Sequence, residues 1–245
     1  MALRAQIDLT KGRPEPIRAL DLVQEEENGE PLVDLREVAP AVHILRPQVI
    51  PYCRKTPAEM IQQAALLLPP GYRLGVIEAW RPFQRQQRIF DFVTKSAREA
   101  FPDRSGAALK RTVCRFVAPT DHKAPPGHCT GGALDVHLVD EDLEDVDVSS
   151  PYKHFQSSAT YTLGLSEEAA ANRALLVETM LKVGFSNCRD EWWHYSYGDA
   201  GWAVRLGFDS CVYGKIELAP TLYEEQERLW LESFKERKNP FLEAG

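Results

Sequence analysis

Apolar residues recur at helical spacing in five stretches of the chain and alternate in several shorter ones, so helices and strands are both expected. The first helix is predicted to begin at Thr56-Pro57-Ala58-Glu59, a capping threonine with proline in the first helical position and glutamate three residues on. Met60, Ile61, Leu66 and Leu68 give it an apolar face, and Pro69-Pro70-Gly71 ends it. Tyr72 to Ala79 then reads as a strand that runs into Trp80-Arg81-Pro82. Proline pushes the residue before it out of the helical region and suits the start of a helix. A helix is therefore predicted over Phe83 to about Ala100, with Arg81 at a strand-to-helix corner.

Residues 107–118 suggest another helix, followed by a stiff loop, His122-Lys123-Ala124-Pro125-Pro126. Ala133 to Leu138 reads as a short strand. The acidic run Asp140 to Asp147 lacks the central glycine and terminal glutamate of a calcium loop and reads as a solvated turn. Ser149 to Gly164 is polar and loop-like. A helix capped by Ser166, with Glu167 and Glu168 in its first turn, carries Leu175, Leu176, Met180 and Val183 on one side and ends at Gly184. Asn187 to Tyr197 predicts an aromatic-rich strand. Ala203 to Gly207 and Cys211 to Tyr213 suggest short strands, and Thr221-Leu222-Tyr223-Glu224 a capping box that starts a last helix running to about Lys235. Residues 1–50 show little periodicity and read as a lead-in packed on a single domain of residues 51–245.

One segment invites a chemical reading. Pro126-Gly127-His128-Cys129-Thr130-Gly131-Gly132-Ala133-Leu134-Asp135 sets an imidazole and a carboxylate seven residues apart across paired glycines. In a regular strand that separation would send them to opposite faces. Glycine's access to positive φ lets the chain turn between them. Further on, Glu191-Trp192-Trp193-His194 places a second acid and imidazole three residues apart. For both to face one site, a bend must hold Glu191 while His194 lies on the strand.

Composition limits what such a site serves. The 245 residues, 44% of them hydrophobic, suit one globular domain. The net charge of −7 argues against nucleic acid or an anionic membrane as partner and favours a small substrate. Nothing at the N-terminus has the apolar core of a signal peptide, and no run is long enough to span a bilayer. The five cysteines (53, 114, 129, 188 and 211) are odd in number and lack C-x-x-C spacing, which indicates reduced thiols in a cytoplasmic protein.

His128, Asp135 and His194 form a two-histidine, one-carboxylate set able to hold a divalent metal and leave a position open. Hydrolysis at such a centre also requires a base for the attacking water and a cation for the oxyanion, which Glu191 and Arg81 can provide. His137, two residues after Asp135, is expected to support the site or pack beside it, and His122 lies near in sequence. His43 and His154 carry no pattern, and Cys129 should face away from its neighbour His128. A non-haem iron oxygenase and a non-catalytic zinc-binding module are the rivals from other classes. The first favours closely spaced His-x-Asp, present here only in reverse as Asp135-x-His137, and neither gives Glu191 a role.

The stretch from His128 to Asp135 resembles the zinc motif Ser-x-His-x-x-Gly-x-Ala-x-Asp of the D-alanyl-D-alanine dipeptidase and carboxypeptidase superfamily, matched at His128, Gly131, Ala133 and Asp135. Glu191-x-x-His194 is similar to its Glu-x-Trp-His, and Trp80-Arg81-Pro82 to its Tyr-Arg-Pro. The separations of the three motifs are like those of the vancomycin-resistance-type dipeptidases. The resemblance implies an α+β fold with a mainly antiparallel central sheet flanked by helices, one Zn2+ per chain, and hydrolysis of D-Ala-D-Ala or a related small dipeptide. It further implies His128, Asp135 and His194 as zinc ligands, Glu191 as general base and Arg81 as the group that polarises the scissile carbonyl. Trimming of muropeptides by a D,D- or L,D-carboxypeptidase is the alternative within the superfamily, and a homodimer is left open. Two positions depart from the pattern. Pro126 stands where the motif has serine, and Lys153 where the dipeptidases carry the aspartate that grips the substrate's amine, so Asp147 would have to substitute.

Overall fold

The computed structural model describes residues 7–152 and 155–242. Its centre is a five-stranded sheet of β1 (Val42–Ile44), β2 (Arg73–Glu78), β3 (Ala133–Val139), β4 (Ser186–Asn187) and β5 (His194–Ser196). In space the strands run β1-β2-β3-β5-β4. Three of the four pairings are antiparallel, but β1 lies parallel to β2, so the sheet is mixed. The parallel pair arises because parallel neighbours need a crossover, and helix α1 (Lys55–Leu67) lies between them in sequence. The stretch read as lead-in thus supplies an edge strand of the central sheet.

β3 explains how one strand serves both core and site. Leu134, Val136 and Leu138 are fully buried and point to one face, where α1 and α4 (Glu167–Lys182) cover them with Ile61, Leu176 and Met180. At ~1.5–3 kcal/mol for each apolar side chain removed from water, these positions fix the register of the strand. Asp135 and His137, half-buried, occupy the opposite face. A second cluster of Ile89, Val93, Val113 and Trp230 joins α2 (Phe83–Ala100), α3 (Gly106–Val113) and α5 (Glu224–Lys235).

Several ends differ from expectation. Helix α1 begins at Lys55, and Thr56 lies inside it, because the Glu30 carboxylate accepts the Thr56 amide hydrogen and takes over the cap. α3 is shorter than expected, starting after Ser105, whose hydroxyl caps Ala108. Ala203 to Gly207 is not a strand but the end of the helix Ala200–Leu206, whose first turn is capped by Asp199. Of Cys211 to Tyr213 only Cys211 lies in a strand, the two-residue Ser210–Cys211, paired in parallel with Gln24–Glu25. Thr221 sits in a 3-10 turn and caps nothing, so α5 begins at Glu224. The Ser166 cap of α4 and the whole of α2 match the sequence pattern.

Candidate metal centre and its cavity

His128 rides on a single helical turn, Gly127–Thr130, which Pro126 opens and Gly131 closes in the left-handed conformation at φ 74°. Its backbone carbonyl accepts from the Arg81 amide at 3.1 Å, tying the turn to the corner after β2. The ring's Nδ1 lies 2.9 Å from the Ala79 carbonyl, which can only accept. Nδ1 therefore carries a hydrogen, and Nε2 is the ring atom turned toward Asp135, 3.3 Å from its Oδ1.

Asp135 faces His194 directly across the β3–β5 pairing. His194 Nδ1 stands 2.9 Å from the same Asp135 oxygen. The three ligand atoms lie within 4.8 Å of one another. Four-coordinate zinc with bonds of roughly 2.0–2.1 Å has ligand atoms about 3.3–3.4 Å apart along each tetrahedral edge. The two distances to Asp135 sit close to that value, so the donor set fits a zinc-sized ion in type and spacing. The acid and the imidazoles also answer one another electrostatically. Burial alone would raise the Asp135 carboxyl, but His128 and His194 together hold it well below the usual carboxylate range. Burial would likewise depress His194, but the hydrogen bond to Asp135 together with the charges of Asp135 and Glu191 outweighs it and raises the imidazole.

Glu191 occupies the turn between β4 and β5, the bend that the three-residue spacing required. His194 donates its amide to the Glu191 carbonyl at 3.2 Å, and Glu191 Oε2 comes within 3.9 Å of His194 Nδ1. Burial pushes its carboxyl up, against the opposing pull of His194. Arg81 lies on the other side. One terminal nitrogen bonds Gln86 Oε1 at 2.6 Å and the other Glu78 Oε2 at 3.1 Å, while its buried Nε has no partner. Gln86 is itself held by the Ala118 carbonyl at 2.8 Å. Glu78 pairs with Asp135 across a bulge in β2, so it stands beside the corner where Arg81 is presented.

All five predicted residues line one open cavity of about 1250 Å³. The remaining candidates do not join the three ligand atoms. His137 Nδ1 lies 2.6 Å from the carbonyl of its neighbour Leu138, and the ring packs edge-on against Trp192, with ring centres 5.1 Å apart. His137 is not in the group of described residues whose ligand atoms converge. His122 lines the cavity but bonds Asp21. Asp147, the substitute acid, accepts from Ser149 and Ser166 and is not among the described residues of the cavity wall. Lys153 and His154 lie outside the described residues. Cys129, within the same turn, is buried, and all five cysteines are unpaired. Glu78 and Gln86, which orient Arg81, and Glu15 and Arg205 on the wall went unread in the sequence. Only Glu78 carried a signal, as an acid in a predicted strand three residues before Arg81.

A family model described as D-Ala-D-Ala dipeptidase matches residues 47–210, a span that contains every one of these five positions. The chain belongs to the D-Ala-D-Ala dipeptidase family. Among curated proteins it is similar to a D-alanyl-D-alanine dipeptidase of Synechocystis, at 28% identity over 178 residues, covering 62% of this chain and 72% of that protein. Among solved structures it is similar to VanYB in complex with D-Alanine-D-Alanine, at 15% identity and a TM-score of 0.41, covering 83% of this chain and 92% of that one. A second is a point mutant of the vancomycin-resistance D,D-pentapeptidase VanY in complex with Zn(II), at 18% identity and a TM-score of 0.36, covering 83% and 93%. Structural likeness at those scores adds nothing to the family assignment. Among the described residues of this family member, no helix is long and apolar enough to cross a membrane.

Proposed function

We propose that this member of the D-Ala-D-Ala dipeptidase family is a zinc-dependent hydrolase that cleaves D-Ala-D-Ala or a closely related small dipeptide. The observation that carries it is one oxygen, Asp135 Oδ1, standing 3.3 Å from His128 Nε2 and 2.9 Å from His194 Nδ1, with Glu191 and Arg81 in the same cavity. A zinc ion held by these three residues, one per chain, supplies a Lewis acid for the scissile carbonyl and makes water easier to deprotonate.

The chain's own residues do the rest. Glu191 is raised by burial toward the working pH of a general base, and its carboxylate takes the proton of the attacking water. As the water oxygen bonds to the carbonyl carbon, the guanidinium of Arg81 faces the negative charge that develops on the carbonyl oxygen. Glu78 and Gln86 hold that guanidinium in place, so it need not reorganise during the reaction. Glu191 then returns the proton to the departing amine as the carbon–nitrogen bond breaks, and two amino acids leave. The Ala79 carbonyl keeps His128 in the tautomer that offers Nε2.

Trimming of longer muropeptides is the second reading, favoured by the breadth of the cavity and by Pro126 and Lys153 at two motif positions. Incubating the zinc-loaded protein with D-Ala-D-Ala and with its N-acetyl derivative, and identifying products by mass spectrometry, separates the two. Release of free D-alanine from the unblocked dipeptide supports the dipeptidase. Cleavage of the blocked compound alone supports the carboxypeptidase, and cleavage of neither removes the hydrolase.

A further inference from the structure

Four of the five residues above are anchored by their own elements or side-chain partners. Asp135 and His194 face each other across β3 and β5, His128 rides on its helical turn, and Arg81 is pinned by Glu78 and Gln86. Glu191 lies in the turn before β5. Among the described residues its carboxylate makes no hydrogen bond, and its one ion-pair approach is to His194 Nδ1 at 3.9 Å. Where the acid stands is therefore set by the backbone of the turn.

That backbone converges on a single side chain. Asn187, at the end of β4, points an amide atom at three carbonyls of the turn, 3.4 Å from that of Glu191, 3.4 Å from that of Trp192 and 3.1 Å from that of His194. Carbonyls only accept, so the atom facing them is the NH2 nitrogen, and Oδ1 looks the other way. On that side the Thr160 hydroxyl lies 2.8 Å from Asn187 Oδ1 and 2.7 Å from the Cys188 carbonyl. A bend tight enough to set Glu191 beside His194 turns these carbonyls inward together. Gathered around one point they repel, and left unpaired they are costly, unless a donor sits between them. The Asn187 amide is that donor.

Thr160 is fixed in turn. It is buried, its amide donates to the Arg189 carbonyl at 2.9 Å, and the Trp192 amide donates to the Ser158 carbonyl at 2.8 Å. Behind them the buried Arg173 of α4 donates to the Ala159 and Ser157 carbonyls at 3.1 and 3.0 Å. Residues 157–160 thus brace the turn from one side while Asn187 fills it from within. Neither Asn187 nor Thr160 is among the described residues of the cavity wall, so any influence on the reaction passes through Glu191.

We propose that Asn187, oriented by Thr160, is a positioning residue for the reaction, fixing the turn that aims the Glu191 carboxylate at the attacking water. The assignment rests on Glu191 being the general base. Asn187 touches neither substrate nor metal.

The test measures kcat, KM and zinc content with the better substrate of D-Ala-D-Ala and its N-acetyl derivative. The proteins are the zinc-loaded wild type, Asn187→Ala, Glu191→Gln and the double variant. A misplacement of about 1 Å costs on the order of 100-fold in rate. Asn187→Ala should lower kcat ~10- to 100-fold, with KM moved less than ~3-fold. One zinc should stay bound, because His194 keeps its pairing with Asp135. In the Glu191→Gln background the same change should cost less than ~3-fold, since no base is left to misplace. Thr160→Val, which removes one hydrogen bond, should lower kcat ~3- to 10-fold, and Thr160→Ser should restore it. Thermal melting shows which variants fold, and the Thr160 pair decides the matter if Asn187→Ala does not. A folded Asn187→Ala or Thr160→Val with wild-type kcat, zinc lost in step with kcat, or an equal fall in the Glu191→Gln background overturns the role of Asn187 and leaves the hydrolase standing. A Glu191→Gln variant with wild-type kcat overturns the general base itself, and a wild type that cleaves neither compound overturns the hydrolase.

Discussion

Replacing Arg54 by methionine should destabilise the protein by about 3–4 kcal/mol and loosen the turn that presents His128. The guanidinium is fully buried, and every nitrogen is used. Nε donates to the Thr130 carbonyl at 2.8 Å, Nη2 to Gly214 at 3.2 Å, and Nη1 to the Glu30 carbonyl. Nη1 and Nη2 also grip the two oxygens of Glu27 at 2.8 Å each. Methionine fills the volume but strands three carbonyls and a carboxylate. Breaking a buried ion pair costs roughly 3–5 kcal/mol. Glu27 is 35% exposed and can recover water, which favours the lower part of that range. Thr130 ends the helical turn that carries His128, so weakened zinc binding should accompany the loss. At ~2–4 °C per kcal/mol for a chain of this size, the melting temperature should fall by about 6–16 °C. The sign of the pH dependence follows from Glu27. Burial would raise its carboxyl, but the bond to Arg54 and the amides of Gly214 and Gly29 bring it below its ordinary value. Its contribution is thus complete above about pH 4.3, the unfolded value, and fades as the pH drops through the folded one. Denaturant unfolding of both proteins should show the gap narrowing in acid. A loss under ~1 kcal/mol at neutral pH, or a gap that widens below about pH 4, would refute the reasoning.

Arg81→Lys should lower kcat by ~100- to 1000-fold with zinc content unchanged, because lysine keeps charge but cannot hold Glu78 and Gln86 while facing the oxyanion; kinetics at saturating D-Ala-D-Ala checks it. Gly131→Ala forces a side chain into the left-handed region, where its Cβ would also meet Leu32 Cδ2 at 2.5 Å. The conformation alone costs ~1–2 kcal/mol, and a shift in urea midpoint worth less than ~0.5 kcal/mol would contradict it. His137→Gln should leave zinc stoichiometry at the wild-type value, since that ring packs on Trp192; a fall in bound metal would make His137 a ligand after all.

The site was far more legible in the sequence than its surroundings, for reasons visible at single residues. His128 and Asp135 flank two glycines, and each has its own necessity. Gly131 needs positive φ, while a Cβ on Gly132 would lie 2.5 Å from the Tyr197 carbonyl. Arg81 was placed by Pro82, which acts locally, and α2 began where the proline rule put it. Most of what escaped depends on partners distant in sequence. The Thr56 cap failed because Glu30 reaches the same amide from across a loop. Ala203 to Gly207 looked like a strand because its apolar residues were read without Asp199, the cap that makes the segment helical. Val42–Ile44 is too short for any period to show, and its place beside β2 is set by the crossover through α1. Glu15 and Arg205 are 190 positions apart and meet only in the folded chain.

Whether His128, Asp135 and His194 hold one zinc ion is tested most directly by counting it. Equilibrium dialysis against zinc, followed by metal quantification of the wild type, His128→Ala, Asp135→Ala and His194→Ala, should give one ion per wild-type chain and close to none in each variant. A wild type that retains no zinc, or any one of the three variants binding it as tightly as the wild type, would contradict the account.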